Sequence, residues 1–186
     1  VIQGGRWEDL RRSTCKKMAE MDFDGYGLGG AFLKEDLSEI LRWCNEELPE
    51  NKPRHLLGLS HPDDILNGVE MGADTFDCVA PTREGRHGKL YTPTGVINLQ
   101  KFMDSPLMID ENCDCPTCQA GYTLGQLRKL WKSQDKEEKY KYFELASMHN
   151  LRFIIRLTEQ AREALLQDQF YEFKERFLKT YYHNKK

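Results

Sequence analysis

Three cysteines fall within six residues, at Cys113, Cys115 and Cys118, in a Cys-x-Cys-x2-Cys arrangement. Thiols this close either share a metal ion or stand as unligated surface cysteines, and idle clusters are rare where no disulfide framework exists. His149 follows after 30 intervening residues. On its own a histidine in a helical stretch reads as a surface residue. With the three thiols it completes a Cys3His set, the donor combination of a closed, tetrahedral zinc site. Thiolate-rich ligation selects zinc over magnesium or calcium. With all four positions filled by protein, no metal-bound water is left to activate. The expectation is therefore one structural Zn2+ per chain. Cys15, Cys44 and Cys78 are scattered singly. They read as small buried apolar groups in a reducing, cytoplasmic setting.

Ahead of this cluster the sequence alternates in type. Gln3-Gly4-Gly5 reads as a strand end, and Asp9 to Met21 has helical spacing with Leu10, Thr14, Met18 and Met21 on one side. Phe23 to Gly30 reads as a glycine-rich strand with its exit loop. Asp36 to Leu48 is predicted helical, with Leu37, Ile40, Leu41 and Cys44 inward and Pro49 just beyond. Arg54 to Leu59 is predicted as a strand. Ser60-His61-Pro62-Asp63-Asp64 then starts a helix with a hydroxyl cap, a first-turn proline and acids that suit the dipole. That helix ends at Gly72, and Thr75 to Val79 is again a strand. Strands separated by helices of this length make βαβ units and a parallel sheet. Four strands with three helices make half of a (β/α)8 barrel or part of a doubly wound sheet. Gln3, Gly29, Gly30, Gly58 and Asp77 all fall where strands run into loops, the end that carries chemistry in barrels.

After Val79 the pattern changes. Pro81 to Tyr91 reads as a polar, arginine-containing loop, and Pro93-Thr94-Gly95 reads as a turn before a short segment from Val96 to Leu99. Helices are predicted over Leu124–Trp131, Lys136–Gln167 and Phe170–Tyr182. The net charge of −3 argues against a surface coated for nucleic acid. From Gly121 onward, however, basic side chains outnumber acidic ones. A basic tail on an acidic body suits a local contact with a polyanion, although ordinary solvated helices share that composition. No apolar run approaches the ~20 residues of a membrane span, and no signal peptide is visible. The start, which lacks Met, reads as a position inside a longer chain.

The segment Asp74-Thr75-Phe76-Asp77-Cys78-Val79-Ala80-Pro81-Thr82-Arg83-Glu84-Gly85-Arg86-His87-Gly88 resembles the signature of queuosine-type tRNA-guanine transglycosylases. Supporting segments occur in the same order: Ile2-Gln3-Gly4-Gly5, Phe23-Asp24-Gly25-Tyr26 with Gly29-Gly30, Lys52 to Gly58, the cysteine cluster, and Met148-His149-Asn150-Leu151. The resemblance runs from Val1 to about Phe177 and implies the C-terminal half of a (β/α)8 barrel with a zinc-binding subdomain and C-terminal helices. It divides the chain into barrel strands and helices over 1–80, a tRNA-contacting loop and zinc subdomain over 81–150, and C-terminal helices over 151–186.

For function, the resemblance implies exchange of guanine at the wobble position of certain tRNAs for a 7-deazaguanine. Asp77 matches the aspartate that attacks C1′ and forms a covalent ribosyl-enzyme intermediate. Gln3, Gly29 and Gly30 match the base pocket, with Leu57 stacking on the base. Arg83 and Arg86 match contacts to the uridines that flank the target. Pro81-Thr82-Arg83 favours the wobble-position type over archaeal relatives, and Leu33, near the size-limiting position, leans towards preQ1 over queuine. The helix from Gly121 to Leu130 lacks the family's Arg and His-His pattern. The span from Cys118 to His149 is also longer than usual. Both departures touch the region of dimer contacts, so homodimer and heterodimer both stay open. A second catalytic aspartate and the aspartate that reads the base belong to the first half of the barrel. This chain alone is therefore expected to be inactive, with that half on the same or a separate chain. The alternatives are a non-catalytic partner subunit that binds tRNA and supports the dimer, and a free-standing zinc and helix module that binds RNA.

Overall fold

The computed structural model describes residues 1–30, 34–59 and 61–183. The chain divides into two compact units, Val1–Cys78 and Val79–Lys186. Leu33 and the Ser60 cap lie outside the described residues.

The first unit is a three-stranded parallel sheet, β1 (Tyr26–Leu28), β2 (Arg54–Leu57) and β3 (Thr75–Asp77), in that spatial order. Its helices are α1 (Glu8–Glu20), α2 (Leu37–Glu47) and α3 (Pro62–Glu70). The strand expected at Gln3 is reduced to one parallel bridge between Ile2 and Leu28. Gly4 and Gly5, at φ 141° and 59°, turn the chain away at once into α1. A side chain on Gly4 would come within 2.8 Å of the Arg11 backbone nitrogen. The alternation of the strands divides the sheet faces. Tyr26, Leu28, Arg54 and Leu56 are buried, and all but Arg54 join the apolar core with Cys15, Ile40, Leu41 and Cys44 from α1 and α2. Gly27, His55, Leu57, Thr75 and Asp77 share the opposite face.

Two expectations need correction here. On α1 it is Arg11 and Cys15 that are buried, whereas Leu10 and Met21 are more than half exposed. The N-cap of α3 is His61, which makes no side-chain capping bond; Pro62 opens the helix as expected.

The second unit contains α4 (Ala80–Arg86), the antiparallel hairpin β4 (Lys89–Thr92) and β5 (Gly95–Asn98), α5 (Pro116–Gln119), α6 (Leu124–Lys132), α7 (Lys136–Leu166) and α8 (Phe170–Tyr182). The three long helices lie within one residue of the predicted ends. Their caps explain why: Thr123 and Gln126 form a reciprocal capping box on α6, and Asp135 accepts from the Glu138 N–H at the start of α7. α7 runs unbroken through residue 150.

The stretch from Pro81 to Tyr91, read from sequence as a loop, is instead α4 followed by most of β4. No apolar period marks it, because its order comes from partners on α7. Tyr142 donates from Oη to the Gly85 carbonyl at 2.6 Å. Fully buried Asn150 donates through Nδ2 to the Pro81 and Lys89 carbonyls, at 2.9 and 3.0 Å, and accepts from the Tyr91 N–H at 3.0 Å. Trp131 on α6 donates to the Arg86 carbonyl at 3.2 Å. One turn beyond Asn150 on α7, Phe153 packs with Tyr91, Phe177 and Tyr181.

Replacing Asn150 by leucine would strand one buried N–H and two carbonyls. A loss of about 3 kcal/mol in unfolding free energy is expected, read from urea denaturation followed by helical circular dichroism.

Candidate metal centre and strand-end face

The cysteine cluster is built by two turns and a helix. Asp110 accepts from the Asn112 N–H, which tightens the approach to Cys113. Cys115 caps α5, its Sγ accepting from the Cys118 N–H at 3.3 Å, with Pro116 in the first turn. Thr117 donates to the Leu145 carbonyl at 2.7 Å and so docks α5 on α7. Four residues further along α7, His149 points its Nδ1 at all three sulfurs.

The Nδ1 to Sγ distances are 3.8 Å for Cys113, 3.4 Å for Cys115 and 3.5 Å for Cys118. The four donor atoms lie within 4.8 Å of one another, and all four residues are buried. Bonds of ~2.3 Å to sulfur and ~2.0 Å to nitrogen at a tetrahedral angle require N···S separations of about 3.5 Å. The cluster thus has the size and chemistry for a metal ion. The other ring nitrogen, Nε2, donates to the Tyr91 carbonyl at 2.7 Å, which fixes the tautomer and leaves the Nδ1 lone pair for the ion.

The loop is also strapped to α7 from outside. Arg152 makes a two-pronged contact with Asp114, at 2.6 to 2.9 Å. Arg156 binds Asp110 at 3.0 Å and the Asn112 carbonyl at 3.1 Å. His149, Arg152 and Arg156 follow the i, i+3, i+7 spacing of one helix face. The two arginines were not anticipated from the sequence, where they pass as members of a solvated helix.

Burial disfavours charge on His149, but its hydrogen bonds to Cys113 and Cys115 outweigh this and raise its pKa to about 9. The Cys115 thiol is lowered to about 3 by the hydrogen bond from Cys118, against burial, with help from His149. Cys118 is raised by the same pairing and by burial. A cation on Nδ1 must displace the imidazolium proton, and one held by Cys118 must displace a thiol proton, so metal binding weakens as pH falls. Metal analysis of the purified protein should find one zinc per chain, and Cys115→Ser should lose most of it. At limiting metal, the wild-type content should decrease from pH 9 to pH 6.

At the strand ends of the first unit, the structure gathers Gln3, Gly29, Gly30, Leu57 and Asp77. A Cβ on Gly30, which sits at φ +101°, would meet the Gln3 Oε1 at 2.6 Å, and one on Gly29 would meet Leu57 Cδ1 at 2.8 Å. Leu57 and Asp77 are register partners on β2 and β3. The Asp77 Oδ1 accepts from the Gly58 N–H at 3.2 Å and lies 3.2 Å from His55 Nε2. The glycines leave an open backbone edge next to an amide, an apolar side chain and a carboxylate, the groups a planar heterocycle would meet.

Arg11, fully buried, holds these loops from below. Its Nε donates to the Gly5 carbonyl at 2.9 Å, and its Nη1 donates to the carbonyls of Ile2 and Gly29, at 3.2 and 2.7 Å. Sequence reading missed it because an arginine is rarely assigned to a helix's inner face; its spacing of four from Cys15 was the available signal. Arg83 and Arg86 lie in the second unit on α4, Arg83 exposed and Arg86 half-buried. They are therefore helical residues and not loop arginines.

The first unit is a parallel α/β sheet with a carboxylate and paired glycines at its strand ends, and the second is a helical module whose Cys3His cluster could hold a metal ion. The family model described as Queuine tRNA-ribosyltransferase matches residues 1–183, and the chain belongs to this family. Proteins named queuine tRNA-ribosyltransferase are similar to it throughout. That of Caldanaerobacter subterraneus subsp. tengcongensis is 40% identical over 190 residues, covering 100% of this chain and 49% of the relative. That of Herpetosiphon aurantiacus is 42% identical, covering 97% and 46%, and that of Fusobacterium nucleatum is 42% identical, covering 97% and 49%. The chain spans about half the length of the curated relatives it matches. Among the described residues, no helix is long and apolar enough to cross a membrane.

Proposed function

We propose that this chain forms the C-terminal half of a cytoplasmic tRNA-guanine transglycosylase, which exchanges guanine at the anticodon wobble position for a 7-deazaguanine, preQ1 or queuine. The observation that carries the reading is Asp77, a carboxylate at a strand end, held through one oxygen and set opposite Leu57, which in turn abuts Gly29. In the first step an Asp77 oxygen forms a bond to C1′ of the ribose. The glycosidic bond breaks with its electron pair on the departing guanine, which takes up a proton. In the second step the ring nitrogen of the incoming base attacks C1′, releases the Asp77 carboxylate and gives up a proton. Splitting one difficult displacement into two is the advantage of a covalent intermediate.

Gln3 and the backbone of Gly29-Gly30 would bind the base edge, with Leu57 against its face. Arg83 and Arg86 would bind the neighbouring uridines, for which a guanidinium plane suits unstacked bases and phosphate alike. The Cys3His cluster would hold one structural zinc. Both edges of the parallel sheet would be completed by the N-terminal half of the barrel, since a barrel satisfies its backbone groups only when closed. That half would also bring the second catalytic aspartate, which would make the isolated chain inactive. A homodimer or heterodimer is compatible with this reading.

With the whole enzyme assembled, Asp77→Asn should reduce incorporation of labelled guanine into tRNA by about 10³-fold or more. It should also abolish the enzyme–tRNA species that survives denaturation. An adduct that persists in this variant would assign the nucleophile to another carboxylate. Labelled-guanine exchange by residues 1–186 alone at the full rate would place all the catalytic parts in this chain.

A further inference from the structure

Asp77 has two carboxylate oxygens, and the structure treats them differently. Oδ1 faces two nitrogens, the Gly58 N–H and His55 Nε2, each at 3.2 Å. Among the described residues, Oδ2 has no hydrogen-bond partner. The Gly58 N–H also donates to the Asp77 backbone carbonyl at 3.0 Å, so the amide fixes the main chain and the side chain together.

The other imidazole nitrogen, His55 Nδ1, lies 2.7 Å from Thr75 Oγ1. Thr75 is the register partner of His55, and Asp77 lies two residues further along β3 on the same face. Only one chain of donors satisfies a neutral ring here. A carboxylate can only accept, so the proton must be on Nε2. Nδ1 then carries the lone pair, and the Thr75 hydroxyl donates to it. The chain runs from Thr75 Oγ1–H to Nδ1, and from Nε2–H to Asp77 Oδ1.

We propose that His55 is a positioning residue for Asp77: it anchors Oδ1 so that Oδ2 presents its lone pair to the sugar carbon. This rests on the reading of Asp77 as the nucleophile. A carboxylate free to rotate about its terminal torsion would offer either oxygen over a broad arc. Two donors on one oxygen remove that freedom before substrate arrives, and attack on carbon depends steeply on such alignment. An imidazole suits the task, because its Nε2–H donates to the carboxylate from a ring fixed at its other nitrogen. A guanidinium or ammonium in its place would hold the carboxylate as an ion pair and draw charge away from the attacking oxygen.

The test uses the whole enzyme, with single-turnover formation of the denaturation-resistant tRNA adduct as the readout. His55→Phe keeps a ring but removes both nitrogens. Its adduct formation should slow by about 10- to 100-fold, with KM for tRNA within about twofold of wild type and zinc content unchanged. His55→Gln, whose side-chain amide can donate to Oδ1, should recover to within about threefold of wild type. Thr75→Val removes only the hydroxyl that orients the ring and should cost about 3- to 10-fold, which keeps the test decisive if the phenylalanine variant folds poorly. A wild-type rate in both His55→Phe and Thr75→Val overturns the proposal. So does an equal loss in His55→Phe and His55→Gln, which would mark His55 as a packing residue only. Asp77→Asn run alongside separates the two readings: an adduct in that variant overturns the assignment of the nucleophile itself, whereas its absence with a fast His55→Phe overturns only the role of His55.

Discussion

The backbone of one residue, Tyr91, sets the order of the second half of the chain. Its N–H is taken by Asn150 and its carbonyl by His149, two consecutive side chains of α7. Both partners are fully buried, where an unmatched backbone group would cost roughly 1–3 kcal/mol. β4 can therefore sit against α7 in one register only. From that register follow the turn of Asn150 towards α4 and the turn of His149 towards the cysteines. The metal loop and the arginine-bearing helix are thus consequences of the same contact.

The first unit depends on a different device, the two-residue period of its strands. Leu56 faces the helices, while His55 and Leu57 face away, and Phe76 is flanked in the same manner by Thr75 and Asp77. A shift of one residue in the pairing of β2 with β3 would put Asp77 among the helices and Phe76 in its place. Arg11 guards the ends of the other strand segments by binding carbonyls from Ile2, Gly5 and Gly29, which adds to the backbone hydrogen bonds of these loops.

Much of this was legible in the sequence. The helices of the C-terminal half carry local signals, such as the Thr123 and Asp135 caps, and were placed to within a residue. The Cys3His cluster that could hold a metal was legible because ligand type and spacing are local for the cysteines, and the Met148-His149-Asn150-Leu151 segment pointed to the histidine. Asp77 and the glycines were singled out through motif order and not through physical pattern, since an aspartate or Gly-Gly at a strand end serves many turns. What was missed depends on contacts across the fold. α4 has no apolar stripe, because its partners are Tyr142 and Asn150, far along the chain. Arg11 violates the usual polarity of an inner helix face, and only the three carbonyls above it account for it. His55 gains its meaning from Thr75 and Asp77, about twenty residues away on the next strand.

The fastening of the metal loop has a further consequence. Inside, the four donors and α5 are buried, but the outer straps, Arg152 to Asp114 and Arg156 to Asp110, are ionic, and the first lies at the surface. Exposed ion pairs contribute little and weaken as counterions accumulate. A lid of leucines over the same cluster would close more tightly and ignore the solvent. Here the outer fastening of the loop weakens as ionic strength rises, while the buried contacts beneath it are screened far less.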